Sequence, residues 1–140
     1  MRDRSLRASV LILSSLGAGI AAYLTVTHLA HVQVACATGG CETVQTSRYA
    51  EVAGIPVAAI GLAGYLVLAG TAIARGSVAR AAGFVAALAG VAVAMVLLYV
   101  QVAVLHAYCQ WCLASDAILV ALVPLTLLRA SRGAPPRAGP

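Results

Sequence analysis

Four apolar runs, each of membrane-spanning length, constrain this chain more than any other feature. They lie at roughly Ala8–Ala30, Pro56–Ala74, Ala79–Ala107 and Trp111–Leu128. A helix of about 17–25 apolar residues, rising about 1.5 Å per residue, crosses a hydrocarbon core. The sequence therefore predicts an all-α integral membrane protein. Its core is a bundle of four transmembrane helices over about residues 8–30, 56–74, 79–107 and 111–128. Composition agrees, since only 9% of residues are charged, against about 25% in soluble domains. The 140 residues hold one domain, assigned to residues 1–130, and the Pro-containing segment 131–140 reads as a disordered tail. The first run is too long for a signal peptide, and no convincing small-residue cleavage site precedes His31.

Charge placement orients the bundle. The net charge is +5 and every basic residue is Arg. No basic cluster is interleaved with aromatics as a nucleic-acid-binding module requires. Instead, Arg2, Arg4, Arg7, Arg75, Arg80, Arg129, Arg132 and Arg137 share one side of an up-down-up-down bundle, and Arg48 alone occupies the other. The positive-inside rule then places both termini in the cytoplasm. The expected location is the inner or plasma membrane, with the connections at about 31–55 and 107–111 outside. Small residues four apart, Gly17 with Ala21, Gly83 with Ala87 and Ala86 with Gly90, are expected to let helices approach closely.

That orientation puts all four cysteines in one oxidising compartment. Cys109-Gln110-Trp111-Cys112 is a Cys-x-x-Cys opening the last helix. A thiol there is activated by unpaired amides and the helix dipole, and the thiolate is the species that exchanges disulfides. Cys36-Ala-Thr-Gly-Gly-Cys41 is a second pair, with Gly39 and Gly40 allowing a tight or mobile turn. Two pairs on one face suggest a relay rather than two static staples. A zinc site is disfavoured by the four-residue spacer of the first pair and by its place at the membrane edge, so no metal is assigned. A dithiol at a membrane surface most readily gives its electrons to a lipid-soluble quinone.

Other polar residues carry weaker signals. Asp116 lies one turn past Cys112, and a carboxyl in a membrane segment is a functional candidate for proton relay or quinone bonding. A simple acid in the first turn, favoured by the helix dipole, is the plainer alternative. Tyr108 and Trp111 either border a quinone or serve as interfacial aromatics. Tyr65 is expected in the core. Arg48 and Glu51 are spaced to pair on a short loop helix near 47–52, which Ser47 could cap. His28, His31 and His106 need no role beyond structure.

The chain resembles bacterial members of the vitamin K epoxide reductase (VKOR) family over about residues 8–128. The resemblance rests on Cys36-x4-Cys41-x5-Ser47 followed by Arg48-Tyr49-Ala50-Glu51, and on Gly54-Ile55-Pro56 opening a helix that reaches Ile60-Gly61-Leu62-Ala63-Gly64-Tyr65. It rests equally on Tyr108-Cys109-Gln110-Trp111-Cys112-Leu113, and on the order of loop pair first and Cys-x-x-Cys last. The resemblance implies a thiol:quinone oxidoreductase supporting disulfide formation, with Cys109 and Cys112 as the redox centre and Cys112 nearest the quinone ring. It implies that Cys36 and Cys41 shuttle electrons from a thioredoxin-like or DsbA-like partner to Cys109, with Ser47 matching a loop hydroxyl. The quinone would be a menaquinone, vitamin K or ubiquinone. Animal members have an Asn where Val57 stands and a Tyr where Asp116 stands, so quinone reduction is implied before epoxide reduction. Many bacterial relatives carry a fused thioredoxin domain after an extra helix; the 140 residues stop short of one, so a separate partner protein is expected. DsbB-type quinone reductases place the two cysteine pairs in the opposite order. The non-enzymatic alternative is a scaffold stapled by its disulfides.

Overall fold

The computed structural model describes residues 2–133. Helix α1 spans Arg2–Leu29, α3 Val57–Ile73, α4 Ser77–Tyr99 and α5 Gln110–Arg132, with a short α2 at Cys41–Gln45. Three helical stretches are long and apolar enough to cross a membrane, namely α1, Ser77–Leu105 and α5, while α3 is a shorter apolar helix of 17 residues. The protein is therefore an all-α protein of membrane type. Helix α1 packs on α3 and α5, and α4 packs on α5 and α3.

The inward faces are narrow and the outward faces are oily. On α1 the buried residues are Val10, Ser14, Gly17, Ala21, Leu24 and Thr27, a three-and-four spacing that makes one seam along a helix. The opposite faces expose Leu16, Val26, Leu66, Val67, Val93 and Val96. Large apolar side chains turned outward around a core of small ones suit lipid as the surrounding solvent. The small-residue spacing is used as expected: Gly17, Ala21, Gly83 and Ala87 are buried. A Cβ on Gly83 would lie 2.7 Å from Thr71 Oγ1, and one on Gly90 would lie 2.8 Å from Leu119 Cδ2.

Gly17 marks the tightest crossing. Tyr65 of α3 lies across it, and an added Cβ would overlap the phenol ring. Tyr65 is 2% exposed, and its hydroxyl bonds Ser115 of α5 through Oγ at 2.7 Å and the carbonyl at 2.9 Å. The ring cannot swing aside without breaking that link among three helices. Gly17→Ala is therefore expected to destabilise the bundle by about 1–3 kcal/mol, read as a lower Tm in detergent. An unchanged Tm would show that the crossing has slack.

Several boundaries depart from the sequence reading. Helix α1 begins at Arg2, six residues before the expected start, because Arg7 reaches the end of α3: Nε and Nη2 donate to the Ala72 and Ile73 carbonyls at 2.9 and 3.1 Å. Helix α5 continues to Arg132, so Ser131 and Arg132 are helical and Gly133 caps the helix rather than opening a disordered tail; the remainder of that expected tail, 134–140, lies outside the described residues. The third expected helix does not run to residue 107 as one α-helix. Past Tyr99 it widens into a π segment, Val100–Leu105, and stops at His106, which is left-handed with φ 49°.

The expected loop helix at 47–52 is a three-residue 3-10 turn, Arg48–Ala50. Strands β1 (Glu51–Val52) and β2 (Ile55–Pro56) follow as a minimal antiparallel hairpin. Its corner residues, Ala53 and Gly54, have φ of 52° and 81°, the double positive φ of a type I′ turn. Arg48 and Glu51 do not pair. Glu51 instead accepts from His28 Nε2 at 2.8 Å, tying the hairpin to the end of α1, and Arg48 lies over the Tyr49 ring.

Candidate functional site

Both cysteine pairs meet at the end of the bundle where α5 begins. Cys36 and Cys41 form a disulfide, and Cys109 and Cys112 are free thiols. Cys109 is the N-cap of α5, with extended backbone, and its sulfur accepts from the Cys112 amide at 3.4 Å. The first-turn spacing then brings Cys112 Sγ to 2.9 Å from Cys109 Sγ, as donor. Cys109 is buried and Cys112 half-buried.

The Cys109 thiol is held below its ordinary range. The Cys112 thiol donating to it is the largest cause, burial opposes, and the Cys112 and Trp111 amides and the Gln45 side chain add to the lowering. Cys109 is thus the more acidic thiol of the pair, with Cys112 as its hydrogen-bond donor. With Cys36 and Cys41 replaced by serine, thiolate ultraviolet absorbance should rise with a first midpoint below that of an ordinary cysteine. Cys112→Ala removes the main donor and should move that midpoint upward, whereas Cys112→Ser retains a hydroxyl donor and should hold it lower. A midpoint unmoved in Cys112→Ala would contradict the assignment.

The disulfide loop is docked onto the Cys-x-x-Cys motif by polar contacts between their backbones and side chains. Thr38 Oγ1 donates to the Tyr108 carbonyl at 2.8 Å, and the Ala37 amide donates to Gln110 Oε1 at 3.0 Å. Trp111 Nε1 donates to the Ala35 carbonyl at 2.6 Å, and the Ala35 amide donates to the Tyr23 hydroxyl at 3.0 Å. The Tyr23 and Trp111 rings pack with centroids 5.1 Å apart. Gly40 lies directly on Tyr108, where an added Cβ would come within 2.5 Å of the backbone nitrogen and oxygen. Gly39 turns the chain with φ 78°, a conformation that glycine adopts without strain. Within the loop, Cys41 is fully buried and Cys36 is half-buried.

Two glutamines complete the centre, and neither was singled out from the sequence. Gln101, in the π segment and 2% exposed, accepts from the Cys109 amide through Oε1 at 2.9 Å, while its carbonyl takes the Ala107 amide at 3.0 Å. Gln45 of α2 points its amide at Cys112 Sγ, 3.8 Å away. A lone Gln in the apolar run 79–107 was the signal available for Gln101, since an amide buried in such a run needs a partner. Gln45 gave no such signal, because it belongs to a polar loop.

The remaining candidates are spread around this centre. Asp116 is half-buried one turn beyond Cys112, with Oδ2 buried and without a hydrogen-bond partner among the described residues. The Tyr108 ring is 49% exposed, so it is the backbone of that residue that meets the loop. Ser47 Oγ donates to the Val44 carbonyl at 2.8 Å and makes no side-chain cap. It borders a cavity of about 450 Å³ whose lining includes His28, His31, Gln45, Arg48 and Glu51. Val57 is half-buried in the first turn of α3 and offers no polar atom. Among the described residues, no group of three or more His, Cys, Asp or Glu side chains is arranged to hold a metal ion.

A helical bundle of membrane type thus brings a disulfide-bonded loop against the segment that carries two free thiols. The family model described as the Vitamin K epoxide reductase family matches residues 8–127. The chain belongs to that family and is a membrane oxidoreductase.

Proposed function

We propose that this protein is a thiol:quinone oxidoreductase that reoxidises a separate thioredoxin-like or DsbA-like partner and so supports disulfide formation. The observation that carries the reading is the docking of an oxidised Cys36–Cys41 loop on a reduced Cys109/Cys112 pair with an acidified thiol. A pair of free thiols 2.9 Å apart is poised for exchange, which a scaffold held by static staples does not need.

In this reading a partner thiolate attacks Cys36, the more accessible sulfur, and Cys41 leaves as the thiolate. The second partner thiol then displaces Cys36, so the partner departs oxidised and the loop pair is reduced. The loop dithiol in turn reduces a Cys109–Cys112 disulfide by the same two exchanges. The dithiol so restored gives up two electrons and two protons, closing its disulfide again. A quinone of menaquinone, vitamin K or ubiquinone type, when bound, would accept both. The unpartnered Asp116 oxygen one turn from Cys112 suits a headgroup contact or a proton carrier there. Val57, where animal members have an Asn, offers no hydrogen bond to a ligand oxygen, so the reading proposed is quinone reduction rather than epoxide reduction.

The topology proposed with it has four spans. Helix α3, at about 26 Å for its 17 residues, reaches nearly across a hydrocarbon core of about 30 Å. The arginine-rich end is placed in the cytoplasm and the cysteine end outside. The test is purified protein in detergent with a reduced thioredoxin-fold dithiol protein and a defined quinone. Thiol oxidation that tracks quinone reduction two electrons for two is expected, and oxidation indifferent to quinone would sink the reading.

A further inference from the structure

The end of the bundle away from the cysteines holds a second cavity, of about 270 Å³, lined by Asp3, Arg7, Ala74, Arg75, Arg80 and Arg129. Arginines at a membrane edge normally serve to orient the helices, and exposed ones are enough for that. Arg129 is not exposed. It is 1% accessible, the largest fully buried side chain among the described residues. Its Nη2 donates to the Thr71 carbonyl at 3.3 Å, while Nε and Nη1 are buried with no partner among the described residues. A buried guanidinium with idle donors is strongly unfavourable unless an anion meets it.

Among the described residues, no neighbour meets that guanidinium with an anion. Arg7 is committed to the Ala72 and Ile73 carbonyls. Asp3 is the acid of the lining, half-exposed and 4.0 Å from Arg80. Arg80 lies across Gly133, where an added Cβ would come within 2.5 Å of its Nη1. Four guanidiniums therefore surround one carboxylate that faces water. We propose that this cavity is a phosphate-binding site, held by Arg129 with Arg75 and Arg80. The nearest source is the headgroup of an anionic phospholipid, since basic pockets between helix ends at the membrane surface suit such headgroups. The site is independent of the redox chemistry at the other end.

The test compares thermal unfolding in phosphatidylcholine nanodiscs with unfolding in nanodiscs containing one third phosphatidylglycerol. Phosphatidylglycerol should raise Tm by about 5 °C. Arg75→Gln with Arg80→Gln should remove at least half of that shift, while Arg132→Gln, at the same end but outside the cavity lining, should keep it. Arg129→Gln is secondary because it also removes the buried contact to the Thr71 carbonyl that joins two helices. An equal rise from inorganic phosphate in phosphatidylcholine nanodiscs would keep the site and assign a free ion as its occupant. No shift from either probe, or equal loss in Arg132→Gln, would overturn the proposal.

Discussion

Replacing Cys112 by alanine should abolish quinone-linked thiol oxidation with every reductant, protein or small molecule, by roughly 10³-fold or more. The loss is larger than that of one contact because two functions go together. Without Cys112 the pair cannot close a disulfide, so two electrons have no route out of Cys109. The Cys112 thiol is also the main group holding the Cys109 thiol below its ordinary range, so Cys109 becomes a poorer leaving group in the second exchange as well. Cys112→Ser separates the two: it should stay inactive yet keep a lowered Cys109 midpoint. In both variants Cys109 can still enter one exchange but cannot resolve it. A mixed disulfide from Cys109 to Cys36, Cys41 or the partner should therefore accumulate, visible by non-reducing mass spectrometry. Cys36→Ala or Cys41→Ala should behave differently, losing the protein partner while retaining turnover with a small, membrane-accessible dithiol. If Cys112→Ala traps no mixed disulfide, the relay between the pairs is wrong.

The features that carry this expectation were legible in the chain because they are local or periodic. Long apolar runs and arginines at their ends predicted helices and the end at which the cysteines gather. The Cys-x-x-Cys at the start of α5 was readable because helix geometry alone brings residues three apart together. What escaped the sequence depends on contacts from far along the chain. Arg7 lengthens α1 by binding carbonyls of α3, and no local propensity records that. The hairpin at 51–56 turns on Ala53-Gly54 rather than the Asn-Gly or Asp-Gly that announces such a turn. Glu51 chooses His28, 23 residues away, over the neighbouring Arg48. The π segment has no compositional mark, yet Gln101 within it holds the Cys109 amide. The cysteines could thus be named in advance, while the glutamines that hold them could not.

Gly40→Ala should slow electron transfer between the cysteine pairs by about tenfold or more without touching either pair's own chemistry. Gly40 has φ −98° and ψ −5°, a conformation open to alanine, so the substitution is not strained by its backbone. The obstacle is the Tyr108 main chain, 2.5 Å from the new methyl at both nitrogen and oxygen. Main chain on the shoulder of the redox motif cannot step aside as a flexible side chain can. The loop must lift, at a cost of about 1–3 kcal/mol for an overpacked contact. Lifting it stretches the Thr38–Tyr108 and Ala37–Gln110 hydrogen bonds that hold the disulfide loop on the Cys-x-x-Cys segment. A docked population reduced by that free energy lowers the exchange rate between the pairs in proportion. Gly39→Ala is the matched control. Its Cβ would meet open space, but its φ of 78° disfavours a side chain, so it should cost about 1 kcal/mol of loop stability. With reduced partner protein as donor, Gly40→Ala should fall well below Gly39→Ala. With a small dithiol that reaches Cys109 and Cys112 directly, both should match the parent. Tm of the bundle should not change, since Gly40 lies outside its packed seams. Equal turnover of Gly40→Ala and parent with the protein donor would mean that the docked loop is not the geometry in which the pairs exchange electrons.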